Sequence, residues 1–261
     1  KSLKLFTVLC AKVAVLTHQL HGTATSHVPR TVEDDEGKYP FVVSLITNET
    51  QSHRCTGTVI SSNWVLTAAN CLIVNTQVQY DELDLPIKET NSVRQVLHMQ
   101  RPPAGTGTGP DLGLMFFNAI PMKAYGQLSA VDYKSIIGHA VVFAGFAPVA
   151  NNCTECAVGP VQIGEGMFCS CNGDEKKTLF SPVLSVCVAP KCSERNSGTS
   201  EPGSPVFHSG KLVGVHVGDT KTRVMRAYTP VSPYLSWIHR VVTKIDLLRS
   251  GISGYGYPET I

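Results

Sequence analysis

Charge is scarce in this sequence. Only 16% of its 261 residues are Asp, Glu, Lys or Arg, against roughly a quarter in an average globular chain. Disordered chains show the opposite balance, and with 43% hydrophobic residues this one has ample material for a core, so general disorder is excluded. Net charge is also nearly missing. At +2 it is too small to predict a nucleic-acid partner or a membrane-surface role. Internal repeats and heptads are absent. So is a clean bilayer-spanning run, because the longest apolar candidate, residues 5–20, is short for a span and is broken by Lys12.

That N-terminal run is informative in another way. Lys1 and Lys4 precede it, and the small residues Gly22, Thr23, Ala24 and Ser26 follow it. This is the layout of a secretory signal peptide, expected over residues 1–26 with cleavage near Ala24 or Ser26. The expectation is a secreted, extracellular protein with no membrane attachment after cleavage. The nine cysteines then make sense. Cys10 leaves with the signal, and Cys55, Cys71, Cys153, Cys156, Cys169, Cys171, Cys187 and Cys192 remain. An even number in an exported chain argues for disulfides. Cys153-x-x-Cys156 followed by Cys169-x-Cys171 can be read as a zinc site, but export favours disulfides, and neither a metal nor another cofactor is expected. Asn48-Glu49-Thr50 and Asn152-Cys153-Thr154 are glycosylation acceptors in an exported chain.

After residue 30 the pattern is one of short strands. Phe41-Val42-Val43-Ser44-Leu45-Ile46, Gly57-Thr58-Val59-Ile60 and Trp64-Val65-Leu66 are β-branched or aromatic runs. Others follow at 112–117, 140–143, 183–188, 205–207 and 212–217. Such spacing predicts an all-β barrel or sandwich. Val231, Tyr234, Leu235, Ile238, Val241, Val242 and Ile245 recur at three- and four-residue intervals, so a terminal amphipathic helix is predicted over 231–246. Residues 247–261 read as a tail, and residues 101–110 as an irregular loop.

Leu66-Thr67-Ala68-Ala69-Asn70-Cys71 resembles the Leu-Thr-Ala-Ala-His-Cys motif of trypsin-like serine proteases in five of six positions. Tyr39-Pro40-Phe41 and Cys55-Thr56-Gly57-Thr58-Val59-Ile60 are similar to that family's early strands. Asp111-Leu112-Gly113-Leu114 resembles the strand carrying its catalytic aspartate. Ser200-Glu201-Pro202-Gly203-Ser204-Pro205 stands where the family has Gly-Asp-Ser-Gly-Gly-Pro. Ala227-Tyr228-Thr229-Pro230-Val231 and Ser236-Trp237-Ile238 resemble its closing strand and helix. The motifs occur in the family's order across residues 31–246. The resemblance implies two packed six-stranded antiparallel barrels, at about 31–135 and 136–230, inside one domain of residues 27–246, with a cleft between them.

The departures matter more than the matches. In the family's triad a serine oxygen attacks, a histidine takes its proton, and an aspartate orients the histidine. Asn70 stands at the histidine position, and an amide has no basic nitrogen near neutral pH. Pro202 stands at the serine position and has no hydroxyl. Asp111 remains with no imidazole to orient. Loss of either the base or the nucleophile costs roughly 10⁶-fold in turnover, about 8 kcal/mol. Pro202 also lacks the N–H that the family's nucleophile contributes to its oxyanion hole, and Ser200 replaces the glycine supplying the other donor. No catalytic residue is therefore expected, with Asn70, Asp111 and Pro202 as the degenerate triad.

Other family features are altered too. Arg30-Thr31-Val32-Glu33-Asp34 corresponds to the activation stretch, but the paired glycines are acidic residues. Cleavage after Arg30, followed by pairing of the Thr31 amine with Glu201, is one reading; an uncut segment is the other. Asn196 stands at the base of the specificity pocket and offers no charge to select Lys or Arg. Val217-Gly218-Asp219 resembles the pocket wall, with Gly218 where an aromatic is common. His216 on that wall reads as a packed or hydrogen-bonded side chain. The family's disulfides imply Cys55–Cys71, and Cys187 with either Cys169 or Cys171. The expected function is that of a secreted, non-catalytic protease homologue that binds an extracellular protein as cofactor, decoy or regulator. A weakly active or repurposed endopeptidase and a structural or carrier protein are the alternatives.

Overall fold

The computed structural model describes residues 32–34, 37–47, 53–80, 92–103, 111–146, 160–171, 185–190, 201–219 and 225–249. The expected signal, the acceptors Asn48 and Asn152, Arg30, Thr31, Cys10, Cys153, Cys156, Cys192, Asn196 and Ser200 lie outside them.

Two closed barrels account for the strands. The first contains β2 (Val42–Thr47), β3 (His53–Ser61), β4 (Trp64–Thr67), β5 (Thr76–Gln79), β6 (Val93–Gln100) and β7 (Gly113–Phe117), hydrogen-bonded in the order β2-β3-β4-β7-β6-β5. The second contains β8 (Ala140–Phe146), β9 (Val161–Ser170), β10 (Val186–Pro190), β11 (Pro205–His208), β12 (Lys211–Asp219) and β13 (Arg226–Pro230). Its order is β9-β10-β13-β12-β11-β8, closed by the pairing of β8 with β9. A short strand, β1 (Val32–Glu33), adds to the outside of β9, with Val32 opposite Ile163. The N-terminal segment is therefore tied to the second barrel, whereas the sequence placed residues from 31 onward with the first. All ladders between these strands are antiparallel.

The period of two explains why several strands are continuous apolar runs rather than alternating ones. Successive side chains point to opposite faces, and in the second barrel both faces are covered. In β8, Val141 and Phe143 point into the second barrel, while Ala144 and Phe146 join the core shared with the first. In β11, Val206 faces inward and Phe207 outward; in β12 a bulge at Val213, between the partners of Val206 and Phe207, breaks the alternation and lets Val213 join the second-barrel core while Leu212 and Val215 join the shared one. The outward residues weld the barrels together. Phe207 lies 4.9 Å from the ring of Tyr39 and 5.9 Å from that of Phe41, centroid to centroid. In the first barrel, Trp64 is fully buried and packs edge-on against Phe116 at 5.1 Å.

The terminal helix and three strands differ from the sequence reading. The terminal helix, α1 (Leu235–Arg249), begins four residues later than predicted, because Pro233 sits in a separate 3₁₀ turn, Ser232–Tyr234. Ile238 is buried, and Leu235, Trp237, Val241 and Val242 pack beside it on the shared core. Strands β5, β6 and β9 carried too little apolar signal to be read. In β6 the interior and exterior positions are both polar or half-exposed. In β9 the alternation is interrupted by Gly164, where a Cβ would collide with the Phe143 ring. No described helix is long and apolar enough to cross a membrane.

Candidate functional site

The three degenerate triad positions converge through a short covalent and hydrogen-bonded circuit. β4 ends at Thr67 and the chain enters a 3₁₀ turn, Ala69–Cys71, which presents Asn70 at the surface. The disulfide Cys55–Cys71, with Cα atoms 6.0 Å apart, pins this turn to β3. The N–H of Thr56, next to Cys55, donates to the carbonyl of Pro202 at 2.9 Å. The Asn70 N–H donates to Oδ1 of Asp111 at 3.1 Å. Arg101 closes the far side by donating from Nη2 to the carbonyl of Ala69 at 2.9 Å.

Asp111 is held in an unfavourable setting for its charge. Burial pushes its carboxyl above the ordinary value. Hydrogen bonds from the N–H groups of Asn70 and Ala69, and the nearby Arg101 and His216, oppose this without cancelling it.

Pro202 sits in a tight turn. The Ser204 N–H donates to the Glu201 carbonyl at 3.2 Å, and Gly203 has φ of +88°. Proline second and a positive-φ glycine third is the preferred composition of a type II turn. A Cβ on Gly203 would also strike the Thr56 carbonyl and the Thr67 hydroxyl, which itself donates to that carbonyl at 2.7 Å. Proline therefore suits the backbone of this turn while removing both the hydroxyl and the N–H that hydrolytic chemistry would need. The turn is further bound to β12: Gly203 N–H donates to the His216 carbonyl at 2.8 Å, and His216 N–H to the Ser204 carbonyl at 2.8 Å.

His216 is fully buried. Its Nδ1 lies 3.0 Å from the Glu201 carbonyl, which can only accept, so Nδ1 carries the proton. Its ring meets Tyr228 edge-on at 5.2 Å. Beyond it the wall strand bulges. His216 is opposite Tyr228 and Gly218 opposite Ala227, so Val217 is the inserted residue. A Cβ at Gly218 would meet nothing within 4 Å, which leaves the wall open where an aromatic is common. Asp219 is the last residue of the strand, opposite Arg226.

No sequence motif points to the partners of Glu201. Its carboxylate contacts Nε2 of His53 and accepts from the Thr56 hydroxyl at 3.3 Å. Nδ1 of His53 lies 2.7 Å from Oγ of the buried Ser44. Neither His53 nor Ser44 belongs to a spaced motif; only the packing of β2, β3 and the 201–204 turn brings them together. Of the two cysteines considered for Cys187, the structure selects Cys171, with Cα atoms 5.0 Å apart. Cys169 is buried directly opposite Cys187 in the ladder, its sulfur 3.8 Å from that of Met225.

The architecture and motifs agree with the relationships of the chain. The trypsin family model matches residues 28–134. A lectizyme of Glossina austeni is 37% identical over 93 residues, a stretch that is 32% of each chain. A trypsin of Squalus acanthias is 26% identical over 226 residues, covering 79% of this chain and 92% of the relative. Among solved structures, the crystal structure of scabies mite inactivated protease paralogue S-I1 superposes with a TM-score of 0.64. It has 19% sequence identity and the match covers 81% of this chain and 99% of that one. With the two six-stranded barrels and the ordered motifs, these relationships show a trypsin-like fold in a chain similar to the trypsin-like serine proteases.

Proposed function

We propose that this protein is a secreted, non-catalytic trypsin-like homologue that acts by binding an extracellular protein as a cofactor, decoy or regulator. The observation that carries the reading is the pairing of a preserved scaffold with chemically incompetent residues. The disulfide, the Thr56–Pro202 hydrogen bond and the type II turn hold the cleft together, while Asn70 offers no base and Pro202 no nucleophile. A scaffold retained without its chemistry retains surface, and surface supports binding. The loop after Cys71 adds an apolar tip beside the cleft, with Ile73 40% and Val74 79% exposed. The likeness to an inactivated paralogue supports the same reading. Disulfides in the described residues support export, in keeping with glycosylation at Asn48 and Asn152.

The structure does contain a serine–imidazole–carboxylate chain, Ser44–His53–Glu201. Ser44 is 0% exposed, so its oxygen has no access to a substrate. The test is incubation of the secreted protein, intact and cleaved after Arg30, with a fluorophosphonate probe and a panel of peptide esters. No labelling and no turnover are expected; stoichiometric labelling of any serine would overturn the reading. Affinity capture from the native secretion, with the Ile73→Asp, Val74→Asp variant as comparison, identifies the partner. Undiminished capture by that variant would remove the cleft-edge tip from the interface.

A further inference from the structure

A second cluster of chemistry-bearing side chains lies at the end of β11 opposite the Pro202 turn. Nδ1 of His139 and Nε2 of His208 are 3.1 Å apart, with ring centroids at 5.2 Å. We propose that these two histidines form an open site for a borderline divalent transition-metal ion, Zn²⁺ or Cu²⁺, away from the degenerate cleft.

The geometry supports this in three ways. The first is bite. Two nitrogens each about 2.0–2.1 Å from one ion lie about 2.9 Å apart at a right angle and about 3.4 Å apart at the tetrahedral angle. The observed separation falls between these values, so one ion can reach both nitrogens once the rings turn their lone pairs toward it. The second is access, since His139 is exposed and His208 is partly so. The third is preorganisation. His208 ends β11 immediately before Ser209 and Gly210, both at positive φ (50° and 74°), in the two-residue hairpin that leads to Lys211. His139 is fixed from both sides of its backbone: its N–H donates to Ile136 at 3.0 Å and its carbonyl accepts from Phe168 at 2.9 Å. Neither ring depends on a flexible loop for its position.

Without metal, one ring donates to the other. Loading requires bare Nδ1 on His139 and bare Nε2 on His208, so the shared proton moves to the other nitrogen of its ring through solvent and no net charge is lost. Among the described residues no third His, Cys, Asp or Glu completes a cluster. The remaining positions are therefore filled by water or by donors from a bound partner. Lys211, opposite His208 in the ladder, adds a positive charge that keeps this site weaker than a closed three- or four-ligand one. Imidazole donors select Zn²⁺ and Cu²⁺ over Ca²⁺ and Mg²⁺.

The experiment is isothermal titration of ZnCl₂, CuCl₂ and CaCl₂ into the untagged full mature chain. The expected result is one Zn²⁺ per chain, tighter binding of Cu²⁺, and no heat with Ca²⁺. Affinity for Zn²⁺ is expected to fall about tenfold or more in His139→Gln and in His208→Gln, because each removes half of the protein ligands. It should be unchanged in His239→Gln, which alters an exposed histidine of the terminal helix. Failure of the native chain to bind Zn²⁺ at millimolar ion would overturn the proposal, as would undiminished binding in His139→Gln. Should His208→Gln lower the melting temperature, exposed His139 decides the matter alone.

Discussion

The carbonyl of Pro202 accepts a hydrogen bond from the N–H of Thr56 at 2.9 Å, which ties the turn of the second barrel to β3 of the first. The bond uses the one backbone group that proline retains. It also places the turn one residue from the Cys55–Cys71 disulfide and so from Asn70. The cleft therefore keeps its frame although two of its three functional side chains are different in kind.

The turn should tolerate change at 202 far better than at 203. Pro202→Ser relaxes a fixed φ and is expected to cost under about 1 kcal/mol. Gly203→Ala must accept φ of +88° and a collision with the Thr56 carbonyl, and is expected to cost about 3 kcal/mol or more. Urea unfolding of both variants checks the order; equal losses would contradict the turn assignment.

Restoring the triad residues should not restore a protease. In Asn70→His with Pro202→Ser the imidazole and hydroxyl return, but Ser200 and Asn196 still stand in the sequence where the family has its glycine donor and its pocket-base residue, and Glu201 remains engaged by His53. Both oxyanion N–H groups are then present, but an oxyanion donor displaced by the Ser200 side chain would by itself be worth about 10²–10³-fold. We expect kcat/KM on peptide esters to stay about 10³-fold or more below that of an ordinary trypsin-like enzyme. Turnover in the ordinary range would refute this.

His53 should matter for stability rather than for chemistry. His53→Ala leaves the half-buried Glu201 carboxylate and the buried Ser44 hydroxyl short of a partner, at an expected cost of about 1–3 kcal/mol. Much of that cost should vanish when His53→Ala is combined with Glu201→Gln. A double-mutant cycle by thermal unfolding reads the coupling, and strict additivity would show that the contact is not energetically real.

Asp111 gives a pH signature. Its folded carboxyl is raised by burial, so the folded state favours the protonated form. The stability contribution is complete below the unfolded value and is lost as pH rises through the raised folded value. Asp111→Asn, which stays neutral, should therefore gain stability relative to the native chain at neutral pH, and that gain should shrink on acidification through the carboxylate range. The difference between the two melting-temperature profiles is the measurement. A pH-independent difference would show that burial does not raise this group.

The shared core makes the barrels one folding unit. Phe207 leaves its own barrel to pack on Tyr39 and Phe41, so Phe207→Ala is expected to cost about 3–5 kcal/mol. The loss should appear as a single lowered transition by calorimetry. Two separated transitions would show that the barrels unfold independently.

Local chemistry determined much of this protein in advance. The resemblance of Leu66-Thr67-Ala68-Ala69-Asn70-Cys71 to a family motif located the turn and implied its disulfide, and Asn70 and Pro202 stated their own chemical limits, because a missing base or hydroxyl is a property of the residue and not of its surroundings. Strong β-branched runs located β2, β3, β4 and β7 for a similar reason: their apolar side chains need burial wherever they go. What depended on distance along the chain was not readable. The polar strands β5 and β6 and the glycine-interrupted β9 exist because neighbouring strands complete their hydrogen bonds. β1 went to the second barrel because β9 offered it a partner. Cys187 had two possible partners, and tertiary packing selected Cys171. His53 reaches Glu201 across 148 positions, and His139 reaches His208 across 69. Such meetings are set by barrel closure and register, which fix where side chains end up only after the whole chain has folded.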